Sequence, residues 1–347
     1  MSARLRIDLG ALTANYRVFQ RAAAPGSAAA VVKADGYGLG APQVGVALRQ
    51  AGCRDFFVAT AAEGVRLRSA LPDARIFVFE GALDDTVAAL TAAALVPVLN
   101  HPAQAELWRR AGGDRPCALH VDTGMHRLGF PPDTAAEAFA GLRPALLMTH
   151  LACADEPDHP LNRRQLEVFA AVRARLPGLP VSIGNSAATL SGPERAGDLA
   201  RPGIGLYGGN PFLAAESPVA PVVTLEGRIL QVRRVAAGES VGYGASYTAR
   251  SAAEVAIVGL GYGDGLPRLL SNRGEAALAG RRCPIVGRVS MDLTAVDVTG
   301  LGAAPGDWVE FLGATVTVDE VAGWAETIPY EVLTGLGQRP LRRYQAA

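Results

Sequence analysis

The residue whose type most restricts the chemistry of this sequence is Lys33. It is the only lysine among 33 basic residues, and all the others are arginine. A guanidinium keeps its proton and forms no Schiff base, whereas a desolvated primary amine can lose its proton and attack a carbonyl group. Lys33 is therefore a candidate nucleophilic amine.

Further polar side chains stand where predicted parallel strands end. The active site of a (β/α)8 barrel lies at the C-terminal ends of its strands, so we expect these side chains to converge there. The candidates at or just beyond strand ends are Lys33, Arg127, His150, Asn185, Ser186 and Arg201.

The residues at the ends of the seventh and eighth predicted strands indicate a phosphate site. Asn185 and Ser186 lead into a short helix over residues 187–190, whose free backbone N–H groups favour an anion. Gly203 in the next strand allows the backbone to approach a ligand closely. Barrels often hold phosphate at this position. A phosphate site together with a Schiff-base amine favours pyridoxal phosphate, and a sugar-phosphate aldolase stays open as an alternative.

The elements that must position these residues are eight βα units, which predict an N-terminal (β/α)8, TIM-like barrel in the α/β class. Short β-branched runs alternate with segments of helical period. The predicted strands are 30–34, 56–60, 76–80, 96–100, 118–122, 146–150, 181–185 and 201–207, and the predicted helices include 9–20, 42–51, 61–69, 102–111 and 160–176.

A second pattern begins after a Gly-Gly-Asn-Pro turn near residue 210. Strand-like runs separated by Gly, Asp and Asn turns predict a C-terminal, mainly-β domain. We expect the domains to be 1–215 and 216–347. The runs are 222–235, 255–260, 276–278, 283–286, 294–298 and 308–312, followed by helices over 318–325 and 330–336.

Composition excludes several classes of function. The 33 basic and 33 acidic residues cancel among 347, so no overall field favours nucleic acid or an acidic membrane surface. The sequence contains neither a membrane-spanning stretch nor an apolar leader, which predicts a cytosolic protein. Four scattered cysteines without a Cys-x-x-Cys pair predict reduced thiols, and no metal site is evident.

Six segments carry a family resemblance. Together they resemble the bacterial alanine racemases, and the match runs in order from about Ile7 to near the C-terminus, across both domains. The segments are Val31-Val32-Lys33-Ala34-Asp35-Gly36-Tyr37-Gly38, His120-Val121-Asp122-Thr123-Gly124-Met125-His126-Arg127-Leu128-Gly129, Gly184-Asn185-Ser186-Ala187-Ala188, Arg201-Pro202-Gly203-Ile204, Gly242-Tyr243-Gly244 and Ser290-Met291-Asp292.

The resemblance implies two catalytic bases. Lys33 would carry pyridoxal phosphate as a Schiff base and then serve the D enantiomer, while Tyr243 would serve the L enantiomer. Racemisation needs a base on each face of a planar intermediate. In this family the tyrosine comes from the β domain of a second subunit, which implies a homodimer with shared sites. His150 and Arg201 would help the tyrosine to act as a base.

The remaining implied roles concern cofactor and substrate. Arg201 would face the pyridine nitrogen and leave it unprotonated, so that the carbanion is reprotonated before side reactions compete. Arg127 would bind the phenolic oxygen and the substrate carboxylate through its fork of donors, and Met291 would offer its backbone N–H to that carboxylate. The residues expected to hold the phosphate end are Tyr37, Asn185, Ser186, Gly203 and Ile204.

One position departs from the family pattern. Many relatives have a lysine, often carbamylated, where His120 stands, and its carbamate positions the residue equivalent to Arg127. Because Lys33 is the only lysine here, we expect a bound anion or His120 itself to hold Arg127, or Arg127 to be looser.

The function implied is interconversion of L-alanine and D-alanine by two-base α-proton transfer, which supplies D-alanine for peptidoglycan. A racemase of serine or of broad specificity remains an alternative, because the sequence does not give pocket size. A decarboxylase of the same architecture is a further alternative. A non-catalytic carrier of the cofactor would not require Tyr243 or Met291.

Overall fold

The computed structural model describes residues 2–212 and 217–346, which form two compact units. The first unit contains Leu12–Leu206 and adjoining residues from Asn210. The second contains the residues up to Ala11, Tyr207–Gly209, and the chain from Ala220 onward. The expected boundary between residues 215 and 216 lies outside the described residues.

The first unit has the parallel strands of the predicted barrel. Seven of its strands form one parallel sheet in chain order. An eighth, Leu199–Ala200, pairs in parallel with Ser27–Ala28, the segment that leads into the first strand. This arrangement confirms the predicted fold class. The seven strands are Ala30–Val31, Asp55–Val58, Arg75–Val78, Val96–Leu99, Pro116–His120, Arg143–Met148 and Val181–Ser182.

The eighth strand lies earlier in the chain than the sequence predicts. We expected it over 201–207, but it covers Leu199–Ala200 and is followed by a 3-10 helix over Ile204–Tyr207. Pro202 has no N–H to donate to a ladder. The next N–H, that of Gly203, donates to Ser186 Oγ instead (2.9 Å). The eighth strand therefore ends directly before Arg201, the first candidate site residue of this unit.

Helices follow the strands as expected, with bounds within a few residues of the predicted ones. The helix Ala61–Ala70 begins at a capping box, in which the Thr60 side chain accepts from the Glu63 N–H and Glu63 reaches back to the Thr60 N–H. The helices are Leu9–Ala22, Ala41–Gln50, Ala61–Ala70, Val87–Ala92, Pro102–Ala111, Ala135–Ala138, Pro160–Ala174, Ser186–Leu190 and Pro193–Ala196.

The second unit is mainly β, as predicted, and is organised on the long strand Val223–Val235. This strand pairs antiparallel with Ala253–Val258 and with Trp308–Leu312. The other strands are Ser240–Val241, Tyr247–Thr248, Glu275–Leu278, Arg281–Pro284, Thr294–Asp297 and Leu341–Gln345, and the helices are Val318–Trp324 and Pro329–Thr334.

The N-terminal strand Ala3–Asp8 belongs to the second unit, which the sequence analysis missed. It pairs antiparallel with Val223–Val235 and parallel with Leu341–Gln345. Its burial alternates, with Leu5 and Ile7 fully buried. That period of two is a strand signal available in the sequence.

No helix within the described ranges is both long enough and apolar enough to cross a membrane.

Candidate functional site

Lys33 lies directly after the first parallel strand, at the start of an unusual left-handed turn. Ala34, Asp35 and Tyr37 have φ angles of 52°, 54° and 55°, and Gly36 has 64°. Side chains with a Cβ rarely adopt this conformation, and it persists only where surrounding contacts impose it. The turn therefore fixes the direction in which the chain leaves the strand at Lys33.

The electrostatic surroundings favour an uncharged Lys33 amine. Burial lowers the pKa of Lys33, and the positive charge of Arg127 lowers it further, while Glu63 acts in the opposite direction. Nζ lies 5.8 Å from the centre of the Phe79 ring. A partly desolvated amine of this kind is suited to attack a carbonyl.

Arg201 follows the eighth strand and is held in place on several sides. It is 2% exposed. Nη1 donates to Ser182 Oγ (2.5 Å), and Nη2 donates to the carbonyls of Thr149 (2.7 Å) and Ile183 (3.2 Å) and to His150 Nδ1 (3.2 Å). Burial lowers the pKa of Arg201 to about 9. The guanidinium is therefore a fixed cation at neutral pH.

Arg201 also determines the protonation of His150. Because a guanidinium only donates hydrogen bonds, His150 Nδ1 must accept, and a neutral ring then carries its proton on Nε2. Desolvation and the charge of Arg201 hold the pKa of His150 well below its usual range. The sequence analysis placed these two residues in one site, and the structure brings them into contact.

Ser186 and Gly203, two of the residues predicted to bind phosphate, lie in contact between the seventh and eighth units. Ser186 Oγ accepts the N–H groups of Gly203 (2.9 Å) and Gly205 (3.2 Å), so its own hydrogen is left to donate outward. A Cβ on Gly203 would lie 2.2 Å from Tyr37 Oη, so only glycine fits against that hydroxyl. These donors suit an anion.

Asn185 and Ile204 were also predicted to hold the phosphate, and both would do so through backbone N–H groups. Asn185 caps the helix Ser186–Leu190, and its Oδ1 accepts the Ala188 N–H (2.9 Å). Ile204 begins a 3-10 helix, so its N–H precedes the first helical hydrogen bond.

Arg127 lies on a loop after the fifth strand that is closed by short-range hydrogen bonds. Asp122 Oδ1 accepts the N–H groups of Gly124 (2.9 Å), Met125 (2.9 Å) and His126 (3.1 Å). The Arg127 side chain is exposed and forms no hydrogen bond or ion pair within residues 2–212 and 217–346. Arg127 therefore forms no hydrogen bond with His120 in the described residues, and an anion between Arg127 and the barrel stays a prediction.

His120, at the position that departs from the family pattern, is held in one tautomer by Asn100. Both amide hydrogens of Asn100 donate to carbonyls, those of Val98 (2.7 Å) and Phe79 (2.9 Å). Its Oδ1 must therefore accept from His120 Nδ1 (2.8 Å). Burial and the charge of Arg201 lower the pKa of His120 to about 4. His120 is a neutral side chain with an unprotonated Nε2.

Tyr243 and Met291 lie in the second unit and are strongly exposed. The Tyr243 side chain is 72% exposed and Met291 is 54% exposed. The Met291 carbonyl accepts from the Gly263 N–H (2.8 Å) and from Arg339 Nη2 (3.2 Å). The Met291 N–H has no acceptor in the described part of the chain. Both side chains are therefore accessible to solvent in the single chain.

Sequence reasoning missed the groups that hold the predicted residues. Asn100 directly follows the fourth parallel strand, Asp122 follows the fifth, and Glu63 is the third residue of a helix. Their places after strand ends were the available signal for Asn100 and Asp122. The spacing of Thr60 and Glu63 is a capping-box pattern, but it does not indicate the further bond from Glu63 to the Ala34 N–H.

Comparisons with known proteins agree with this geometry. The family model for the alanine racemase N-terminal domain matches residues 7–211, and the model for the alanine racemase C-terminal domain matches residues 222–344. An alanine racemase of Rhodospirillum rubrum is 49% identical over 99% of this chain and 96% of its own length. Biosynthetic and catabolic alanine racemases of Agrobacterium fabrum are each 44% identical, over 99% of this chain and 94% and 92% of their own lengths.

Solved structures give the same result. An alanine racemase from Bartonella henselae, described with covalently bound pyridoxal phosphate, has a TM-score of 0.93 at 37% identity, and the match covers 99% of this chain and 100% of that one. A biosynthetic alanine racemase from Pseudomonas aeruginosa has a TM-score of 0.93 at 39% identity, with 99% of each chain covered.

Proposed function

The chain belongs to the alanine racemase family, and on that premise we propose which of its residues carry out the reaction. It is a pyridoxal-phosphate-dependent racemase that interconverts L-alanine and D-alanine. The observation that carries the assignment of residues is the presence, at the ends of the barrel strands, of a single desolvated amine, Lys33, and a fixed buried cation, Arg201.

The residues of the barrel mouth fit this cofactor. Ser186 has a free hydroxyl hydrogen, and the absence of a side chain at Gly203 allows the Tyr37 hydroxyl to lie close to that backbone. Both hydroxyl groups can donate to a phosphate. We assign the phosphate to Tyr37, Ser186, Gly203 and Ile204, with Asn185 ordering the short helix. Pyridoxal phosphate, when bound, withdraws electrons from the substrate Cα and so acidifies the α-hydrogen.

Two residues exchange the α-proton in this proposal. Lys33 Nζ holds and returns the proton on the D side, and Tyr243 Oη does so on the L side. The desolvation that lowers the pKa of Lys33 favours the uncharged amine, which is the form that can act as a base. Tyr243 is contributed by a second subunit, because its own unit leaves the side chain 72% exposed.

The other polar groups orient the reactants. Arg201 would face the pyridine nitrogen and would not give up its proton to it, so the nitrogen would stay unprotonated. The cofactor would then be a weaker electron sink, which favours racemisation over transamination. Because Arg201 Nη2 donates to His150 Nδ1 (3.2 Å), the imidazole keeps Arg201 in that orientation. Arg127 binds the substrate carboxylate, and the free Met291 N–H of the partner offers a further donor.

The assembly we propose is a homodimer with shared sites. The second unit exposes several large apolar side chains, and a second subunit that covered them would remove apolar area from water. Among the described residues they are Leu230, Tyr243, Tyr262, Leu269, Met291, Leu293, Ile328 and Tyr330.

In the cell we propose a cytoplasmic enzyme that supplies D-alanine for peptidoglycan. A strain in which this gene is deleted, with no other alanine racemase present, should grow only when D-alanine is added. Growth without D-alanine would assign the enzyme to another role.

Proton NMR in deuterated water tests the activity directly. The purified protein with pyridoxal phosphate and L-alanine should lose the α-proton signal while D-alanine appears on chiral analysis. Parallel samples of serine and lysine measure the preference for the side chain. Release of carbon dioxide instead of exchange would identify a decarboxylase.

A further inference from the structure

The carboxylate of Glu63 joins two neighbouring βα units at the barrel mouth. Its Oε1 accepts the Ala34 N–H (2.8 Å), the first N–H after Lys33. Its Oε2 accepts the N–H groups of Ala59 (2.7 Å) and Thr60 (3.4 Å) at the end of the next strand. A capping box needs only the bond to Thr60. The bond to Ala34 is therefore an additional contact, directed at the turn that carries Lys33.

The turn after Lys33 needs such a contact. Three of its residues with a Cβ, Ala34, Asp35 and Tyr37, have φ angles between 52° and 55°. Backbone bonds inside the turn, such as Gly36 N–H to Val32 O (2.9 Å) and Gly38 N–H to Ala34 O (2.8 Å), maintain its shape. The Val32 N–H donates to Phe57 O of the neighbouring strand (2.8 Å) and so fixes the chain just before Lys33. The Ala34 bond to Glu63 adds a second connection to that βα unit just after Lys33.

We infer that Glu63 is a positioning residue for Lys33, which ties the left-handed turn to the second βα unit and so directs the amine into the barrel mouth. The inference rests on the proposed function in taking Lys33 as the reactive amine. The charge of Glu63 also raises the pKa of Lys33, against burial and Arg127. Glu63 itself transfers no proton in this proposal.

Two substitutions separate this role from helix capping. Glu63→Asp keeps an acidic residue in the first helical turn but is one methylene too short to reach the turn and the helix start together. Glu63→Gln keeps the length, but its single amide oxygen can satisfy Ala34 or Ala59 and not both.

Glu320 provides a matched control. It is the third residue of the helix Val318–Trp324 and forms the same capping box with Thr317, in the second unit. Glu320→Asp and Glu320→Gln therefore remove an equivalent capping contact without touching the Lys33 turn.

The first measurement is amide hydrogen exchange of residues 33–40 in the full chain without cofactor. We expect both Glu63 variants to exchange about tenfold faster in this segment, because the solvent-exposed Ala34 N–H loses the acceptor that protects it, and the Glu320 variants to match the wild type. With cofactor and alanine, kcat should fall about tenfold in the Glu63 variants while KM changes little, because the substrate carboxylate sites are intact.

Other outcomes would overturn the inference. Wild-type exchange in residues 33–40 of Glu63→Asp would reduce Glu63 to a helix cap, and equal losses in the Glu63 and Glu320 variants would indicate general destabilisation. The exchange measurement needs no activity. A wild-type chain that fails to racemise alanine would refute the proposed function, and faster exchange at residues 33–40 in the Glu63 variants would still support the turn contact.

Discussion

Two groups of proposed active-site residues differ in how the chain holds them. Arg201 is 2% exposed and donates four hydrogen bonds, and Ser186 is also 2% exposed and accepts two. Tyr243 is 72% exposed, and Met291 is 54% exposed. The residues that we assign to the cofactor are thus held in place by the barrel, whereas those that we assign to the substrate are exposed and, in our proposal, are completed by bound molecules and a second subunit.

This difference has a physical reason. A group that must hold one orientation in every cycle gains from buried, fully satisfied hydrogen bonds, since these rigidify the site at no cost during the reaction. A base that must meet an entering substrate at a subunit boundary is exposed until the boundary forms. The two groups should therefore respond differently to substitution.

The largest expected effect comes from removing the only amine. Lys33→Arg keeps the charge but cannot form a Schiff base, so cofactor attachment and racemisation should both be lost, the latter by about 10⁴-fold or more. Absorbance of the bound cofactor and chiral analysis of product measure the two. Retained racemisation in this variant would remove Lys33 from the mechanism.

Tyr243→Phe tests the exposed group. Exchange of the α-hydrogen with solvent should slow about 10²-fold or more when L-alanine is supplied, and much less when D-alanine is supplied, because Lys33 still serves the D side. NMR in deuterated water measures both rates. The exposed Tyr330→Phe in the same unit is the control and should change neither, while equal losses from both enantiomers in Tyr243→Phe would contradict the division between two bases.

Lysine substitutions at Arg201 and Arg127 compare the free energy of unfolding that a buried and an exposed arginine contribute. Arg201→Lys removes most of a buried fork of donors, and we expect it to lower the free energy of unfolding by about 3 kcal/mol, since carbonyls of Thr149 and Ile183 lose their partner. Arg127→Lys, on an exposed side chain, should change it by less than about 0.5 kcal/mol. Urea denaturation of both variants measures the difference, and equal losses would abolish the distinction between the two groups.

Sequence patterns predicted the strand ends well and the contacts between them poorly. Lys33, His150, Ser186 and Arg201 were placed by the rule that barrel chemistry lies at the C-terminal ends of strands. The eighth strand was placed too late because β-branched and apolar residues continue past Pro202, where the ladder has already ended. Strand propensity does not indicate that the Gly203 N–H donates to the Ser186 side chain rather than to a neighbouring strand.

The N-terminal strand was missed for a related reason. Ala3–Asp8 pairs with Val223–Val235, more than 200 residues away along the chain. A period-two pattern over six residues is weak until its partner is known. The bonds from Glu63 to the Ala34 N–H and from Asn100 to His120 likewise join residues at least 20 positions apart, so only coordinates could assign them.

The smallest expected effect is the contribution of His120 to the pH dependence of stability. It tests whether the barrel holds this side chain in its neutral form. Its pKa is about 4 in the folded chain, against 6.5 for an ordinary histidine, because it is buried near Arg201 and Arg127 with only Asp122 acting in the opposite direction. Protonation is then easier in the unfolded chain, so this stability is present above pH 6.5 and is lost as the pH falls towards 4. Between pH 7 and pH 5 the loss should be about 2 kcal/mol.

Urea denaturation at both pH values should show that His120→Gln loses this much less stability than the wild type. The exposed His126→Gln is the control, and a pH dependence unchanged by His120→Gln would show that Asn100 does not hold a neutral imidazole.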